Sequence, residues 1–468
     1  MESNRYFLFF LTSLLFVAYI YIPSVAPMIH PDSSGYIEFS SIRTSFYPVF
    51  LDIAGYFGMS LNQIQYLQIF IFSLSVFFLL RTLLDLTSRK IIVLLYLLLL
   101  IGNIWLVSIH KSILTDSLYI SFNLFAVSAL INFFLKGSSK YLLIFSIMVG
   151  ISIGIRPSGI YLLVLIPIII FSAKKYLGVF RWKWVGLLII PIIATSIIES
   201  TLYYQYHNVD DRVSLLPILV FGKGATMNGD IEFSGKHKNV LTKSSRAIDS
   251  EFGDVAPFLE KIPYFWLKNQ SLPNYEIYAQ FNVLKHKREN YATEANVSKS
   301  ELMLELGWQR ILKNPYQWLT SSLHHYAASW GVRVSTFTPF VDEYNKWVLE
   351  QVEIPLNDSI KYLPLKGDLK PSIVSLIVFP ALLFVGIMSG LIGIVFVIMI
   401  FTKKELPLLF VLSGLLSLMA HGSIMLSSII NVATPRFSIT QIPILTLALL
   451  FLFLMLFERL KSSRTSKQ

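Results

Sequence analysis

The chain has 468 residues, 54% of them hydrophobic and only 14% charged, with a formal charge of +11 and a mean hydropathy of +0.62. Soluble domains carry about a quarter charged residues, so this composition excludes a water-soluble particle of this size. Cysteine is absent, which excludes disulfides, thiolate metal sites and cysteine nucleophiles. In chain order, apolar runs predict membrane spans at 6–27, 64–80, 91–108, 118–135, 141–155, 159–173, 185–201, 373–400, 407–427 and 438–457. Most approach the roughly 20 residues that cross a bilayer. The segment Tyr6 to Tyr21 reads as a retained helix, since Pro23 and Pro27 follow it without a small-residue cleavage site. The fifth and sixth runs are parted only by Arg156-Pro-Ser-Gly159, and run 373–400 holds Pro380, where it is expected to tilt or break.

Lysine and arginine set the orientation. With the N-terminus inside, inner loops hold Arg81, Arg89 and Lys90; Lys136 and Lys140; Lys174, Lys175, Arg181 and Lys183; and Lys403 and Lys404. The C-terminal tail adds Arg459, Lys461, Arg464 and Lys467. The short outer loops keep only isolated cations, Arg43, Lys111, Arg156 and Arg436. The positive excess therefore faces anionic lipid on the inner side, and nucleic acid is not an expected partner. Region 202–372 has mixed charge, turn residues Asn228-Gly229-Asp230 and no spanning run; Ser300 to Trp330 reads as helical, with Leu302, Leu306, Ile311 and Leu319 on one apolar face. The expected fold class is mainly α: a polytopic membrane protein with about ten transmembrane helices and a mostly helical extracytoplasmic domain. It divides into an N-terminal transmembrane module 1–201 with a first outer loop 28–63, an extracytoplasmic domain 202–372, and C-terminal helices with a cytoplasmic tail over 373–468.

The first outer loop reads Met28-Ile-His-Pro-Asp-Ser-Ser-Gly-Tyr36 and continues through Arg43 to Phe46-Tyr-Pro-Val-Phe-Leu51. Asp32 lies just beyond the first span. Partial desolvation there would raise its pKa and make it a better base; a helix N-cap is the other role open to it. Asp116 opens the fourth span in Lys111-Ser-Ile-Leu-Thr-Asp-Ser-Leu-Tyr119, with the same two roles open. Arg43, Lys111, Arg156 and Arg436 either snorkel or pair with outer acids, or together cradle a phosphate, which guanidinium groups match with two parallel donors. Gly222-Lys223-Gly224 lacks the spacing of a phosphate-binding loop. His324 and His325 are adjacent, so on a helix they diverge and make a poor metal pair. Asn269-Gln-Ser271 and Asn296-Val-Ser298 are formal glycosylation triplets, and Tyr203, Tyr204, Tyr206 and Tyr264-Phe-Trp266 read as interfacial aromatics.

Taken in order, these elements resemble the GT-C superfamily of membrane glycosyltransferases. The matching pieces are the acid after the first helix, Asp32; a Tyr-Pro element, Tyr47-Pro48; Leu114-Thr-Asp-Ser-Leu118; Arg156-Pro-Ser-Gly159; Leu312-Lys-Asn-Pro-Tyr-Gln-Trp318; and Pro435-Arg-Phe-Ser-Ile-Thr-Gln-Ile-Pro443. The likeness covers the first two hundred residues and the last hundred. Ser33 follows Asp32 where the family often has a second acid, and Phe437 stands where it often has tyrosine. A divalent cation is thus an open cofactor, with no metal ligand assigned. The resemblance implies an inverting transfer of a sugar from a polyprenyl-phosphate donor to a glycan or glycolipid acceptor, such as a lipid-linked O-antigen. It implies catalytic roles for Asp32 and Asp116, and substrate binding by Arg43, Tyr47, Lys111, Arg156 and Arg436. It implies a bacterial inner-membrane protein with both termini cytoplasmic and the large domain periplasmic. The rival readings are a polymerase that joins lipid-linked repeat units and a lipid-linked glycan transporter or flippase. The last predicts inverted repeats and mid-membrane charges, and no repeat is visible.

Overall fold

A computed structural model describes residues 2–21, 31–208, 212–253, 273, 275–330, 373–402, 405–430 and 435–465. The chain is mainly helical, with no strand among these residues, and divides into two units. Unit 1 comprises 1–212, 385–423 and 439–468; unit 2 comprises 213–384 and 424–438. The glycosylation triplet at Asn269, the aromatics Tyr264 to Trp266, and Lys403, Lys404 and Lys467 lie outside the described residues.

Unit 1 runs α1 (Glu2–Tyr21), α2 (Pro31–Ile37), α3 (Phe46–Tyr56), α4 (Leu61–Thr87), α5 (Lys90–Ile101), α6 (Ile104–Lys111), α7 (Thr115–Lys136), α8 (Ser139–Ile155), α9 (Tyr161–Leu177) and α10 (Trp182–His207). Seven helices among the described residues are long and apolar enough to cross a membrane, or eight if α5 and α6, bent by 68°, form one broken span. Two further sequence runs fall on shorter apolar helices, Tyr6–Tyr21 and Ser139–Ile155. The run expected to break at Pro380 is one helix, Ile373–Thr402.

Helix α7 is enclosed along its length. Its small polar residues let neighbours approach and bond: Thr82 and Ser128 hydroxyls lie 2.8 Å apart, and Asn132 donates to Thr82 at 2.7 Å. Against α8, helix α10 packs at glycine depth, since a Cβ at Gly150 would strike the Thr195 side chain, and α3 does so too, since one at Gly154 would strike the Phe46 ring. Ile190, Ile193, Ile197 and Ile198 of α10 stay exposed, as suits a lipid-facing stripe. Between α8 and α9 the chain makes a single 3-10 turn, Pro157–Ile160. Proline fits its first position, and Gly159 allows the turn to fold within 3.3 Å of the Ile153 backbone.

Unit 2 holds α11 (Leu216–Ala225), α12 (Lys238–Gly253), a helical stretch 275–281, α13 (Arg288–Ala295), α14 (Lys299–Lys313) and α15 (Pro315–Ser329). Its core gathers Phe221, Leu241, Ile248, Tyr275, Ala279, Leu302 and Leu306. Helices α11 and α14 cross backbone to backbone: a Cβ at Gly224 would lie 2.6 Å from the Gly307 carbonyl oxygen. The turn at Asn228 is an Asx turn, with Asp230 N donating to Asn228 Oδ1 at 3.0 Å. The single helical face expected over 300–330 is corrected in one respect. Leu302, Leu306 and Ile311 are buried, but Leu319 is 54% exposed, because Pro315 ends the first helix and restarts the second in a new phase.

The remaining helices are α16 (Ile373–Thr402), α17 (Leu408–Ile430) and α18 (Pro435–Thr465).

Candidate functional site

In unit 1 the first turn of α2 and the loops before α3, α7 and α9 gather at one end of the helices. Asp32 stands in the first turn of α2, where the helix dipole favours an anion. It receives Arg43 Nη2 at 2.7 Å, and remains 45% exposed against 17% for the arginine. The guanidinium lies 4.5 Å over the Tyr36 ring. It fits there because residue 35 is glycine: a Cβ would stand 3.0 Å from Arg43 Nε. Ser33 ties α2 to the next loop by donating to the Ile113 carbonyl at 2.9 Å.

Asp116 is fully buried in the first turn of α7. Its carboxylate receives Arg156, the residue that caps α8. The Arg156 guanidinium also lies 5.6 Å from the Tyr119 ring centre. The two candidate acids and two of the candidate phosphate ligands are therefore joined as acid–arginine pairs.

Tyr47 and Lys111 sit differently. Tyr47 is fully buried and donates to Gln68 Oε1 at 2.8 Å. Gln68 in turn donates to the carbonyls of His110 and Ser112, at 3.0 Å each. Lys111 is buried and donates to the Ile20 carbonyl at the end of α1, at 2.9 Å. Both side chains brace the loops. Arg436 belongs to unit 2, at the start of α18.

A brace that composition hid holds the base of the first loop. Glu199 of α10 accepts the Ser45 amide at 2.8 Å and a two-pronged grip from Arg212 at 2.7 and 2.8 Å. Ser45 returns a bond to the Glu199 carbonyl at 2.8 Å. Tyr203 donates to the Ser41 carbonyl at 2.6 Å, and Thr44 to that of Ile155 at 3.0 Å. Glu199 carried a readable signal, being the acid inside run 185–201, where an ionisable group is costly and marks a site.

Unit 2 holds a second buried polar cluster. Lys223 of α11 meets Glu276 at 2.8 Å, and His325 of α15 meets the same carboxylate at 2.9 Å. All three are at most 2% exposed. Burial pushes the Glu276 carboxyl up, but Lys223 and His325 pull harder and hold it below the usual range. Burial, with Lys223, holds the His325 imidazole below its ordinary value against the pull of Glu276.

Among the described residues no three histidine, aspartate or glutamate side chains cluster as metal ligands. Asp32 and Asp116 each face an arginine, a donor set that does not fit a divalent cation. Comparison with protein-family models, curated proteins and solved structures finds no match.

Proposed function

We propose that the protein is an inverting membrane glycosyltransferase that moves one sugar from a polyprenyl-phosphate donor to a glycan or glycolipid acceptor. The observation that carries this reading is the half-exposed Asp32 carboxylate, fixed by Arg43 on a braced loop, with the Asp116–Arg156 pair in the adjoining loop system. Asp32 takes the proton of the acceptor hydroxyl. The oxygen attacks the anomeric carbon as its bond to the phosphate breaks, and the lipid phosphate leaves as an anion. Arg43 holds the Asp32 carboxylate on the attacking face, and that charge on the opposite face is assigned to Arg156 and, as the resemblance implies, Arg436; stabilising developing charge often contributes most to catalysis. Asp116, enclosed and bound to Arg156, suits the role of anchor more than that of base. The reading keeps about ten spans, both termini in the cytoplasm of a bacterium, and residues 202–372 in the periplasm.

The test is transfer by the purified protein in lipid nanodiscs, supplied with polyprenyl-phospho-sugars and a lipid-linked glycan. Mass spectrometry should find an acceptor heavier by one sugar, together with free polyprenyl phosphate. Asp32→Asn should lower turnover roughly 100-fold. Addition of a whole repeat block would point to a polymerase instead, and undiminished turnover in Asp32→Asn would exclude the base assigned here.

A further inference from the structure

The Lys223–Glu276–His325 cluster belongs to unit 2, the acid–arginine pairs to unit 1, and the chemistry proposed above does not use the cluster. Its bonds reach one particular segment. Lys223 Nζ donates to the Ser428 carbonyl at 3.1 Å. Trp318 of α15 donates to the Ile429 carbonyl at 3.3 Å. Both carbonyls belong to the last turn of α17, where four backbone oxygens lack helical partners. A lysine ammonium suits such an end, since it meets the negative pole of the helix. At the other side of the segment, Ser438 donates to the Ser329 carbonyl at 2.5 Å. Ser329 ends α15, so this bond satisfies an orphan oxygen of the same kind.

Helix α15 therefore bonds the last turn of α17 through Trp318 and the first turns of α18 through Ser329. Trp318 holds one end and Ser329 the other, about 16 Å apart at 1.5 Å per residue. His325 lies between them on the same helix and binds Glu276, which binds Lys223. Arg436 lies between these two attachment points in the chain.

We infer that Lys223, Glu276 and His325 are positioning residues that fix the segment carrying Arg436. The inference rests on the reading that Arg436 serves the donor phosphate. Three charged or polar groups sealed from water are a costly way to join helices, and apolar replacements of such groups often hold a fold as well or better. What an apolar replacement cannot supply is a donor aimed at the Ser428 carbonyl. Lys223 also leaves from a helix that cannot shift: Gly222 packs against the Gln280 side chain, and Gly224 against Gly307.

The experiment is hydrogen–deuterium exchange of the full chain in nanodiscs, with polyprenyl phosphate binding read on the same samples. Glu276→Gln and Lys223→Met should each raise exchange in peptides covering 424–438 by at least ~10-fold, as expected for local opening, and leave α14 protected. Asp249→Asn, which loosens the separate Arg310–Asp249 pair, should not affect 424–438. If the single variants fail to fold, the double variant Lys223→Met/Glu276→Leu removes both charges together and should show the same local rise. Where the wild type binds polyprenyl phosphate, the variants should weaken it about as much as Arg436→Lys does, and Lys223→Arg should restore it. Unchanged exchange over 424–438, or a uniform rise through unit 2, overturns the positioning role. A local rise in a protein that binds no polyprenyl phosphate supports positioning and overturns the glycosyl-transfer reading.

Discussion

Two acid–arginine pairs of the same composition differ in what they do for the protein. Asp116 is sealed and Asp32 is half exposed, and removing one partner of a sealed pair leaves the other charge without compensation. Asp116→Asn should therefore cost about 3–5 kcal/mol, read as a clear fall in melting temperature. Asp32→Asn should cost at most about 1 kcal/mol, since solvent already screens that pair. A thermally silent Asp116→Asn with lost turnover would mean that Asp116 acts on substrate and does not merely anchor Arg156. Residue types and order in the sequence were enough to single out Asp32, Asp116, Arg43 and Arg156. They were not enough to show that these four pair with each other, because pairing depends on loops brought together by helices far apart in the chain. Tyr47 and Lys111 illustrate the same limit: the sequence marks them as unusual, and only the fold reveals that their polar atoms are spent on Gln68 and Ile20.

At the scale of elements, apolar runs were legible because lipid and core both demand them: over their described residues the predicted runs fall on helices, with run 91–108 divided between the bent pair α5 and α6. Phase was harder to read. Across Asn314-Pro315 the heptad-like pattern seems continuous on paper, yet the proline resets it and turns Leu319 outward. In Gly222-Lys223-Gly224 the spacing differs from that of a phosphate loop, and Gly224 serves a helix crossing that no spacing rule announces. That crossing can be tested by size alone. Gly307→Ala would place a methyl 2.5 Å from the Val220 carbonyl oxygen, and should destabilise unit 2 by about 1–3 kcal/mol, the usual cost of overpacking. Gly55→Ala, whose methyl would meet nothing within 4 Å, should be neutral or slightly stabilising in its helix. Thermal melts with limited proteolysis of unit 2 distinguish the two; equal effects would mean that α11 and α14 do not approach at backbone distance.

For the whole molecule, the division at Arg212 and Val213 falls close to the change in composition that separates apolar runs from mixed charge. The core of unit 2 was not readable, since its cluster draws on α11, residue 276, α15 and a stretch near 428, and no local pattern connects them. The proposed orientation makes a direct prediction. Reporter tags at Lys174 or after the C-terminus should lie in the cytoplasm, and tags near Asn228 or Asn290 outside it. A cytoplasmic signal from Asn228 or Asn290 would separate the two units' candidate residues by a membrane and end the reading as a single site.

The Glu199–Arg212 grip has a mechanical consequence. Arg212 ends the first stretch of unit 1, and its guanidinium is bolted to the carboxylate that also holds the Ser45 amide. A tug on the chain leaving at Val213 meets this anchorage before it can travel along the backbone into α10. It works like the strain relief on a cable, leaving the perch of Arg43 and Asp32 undisturbed.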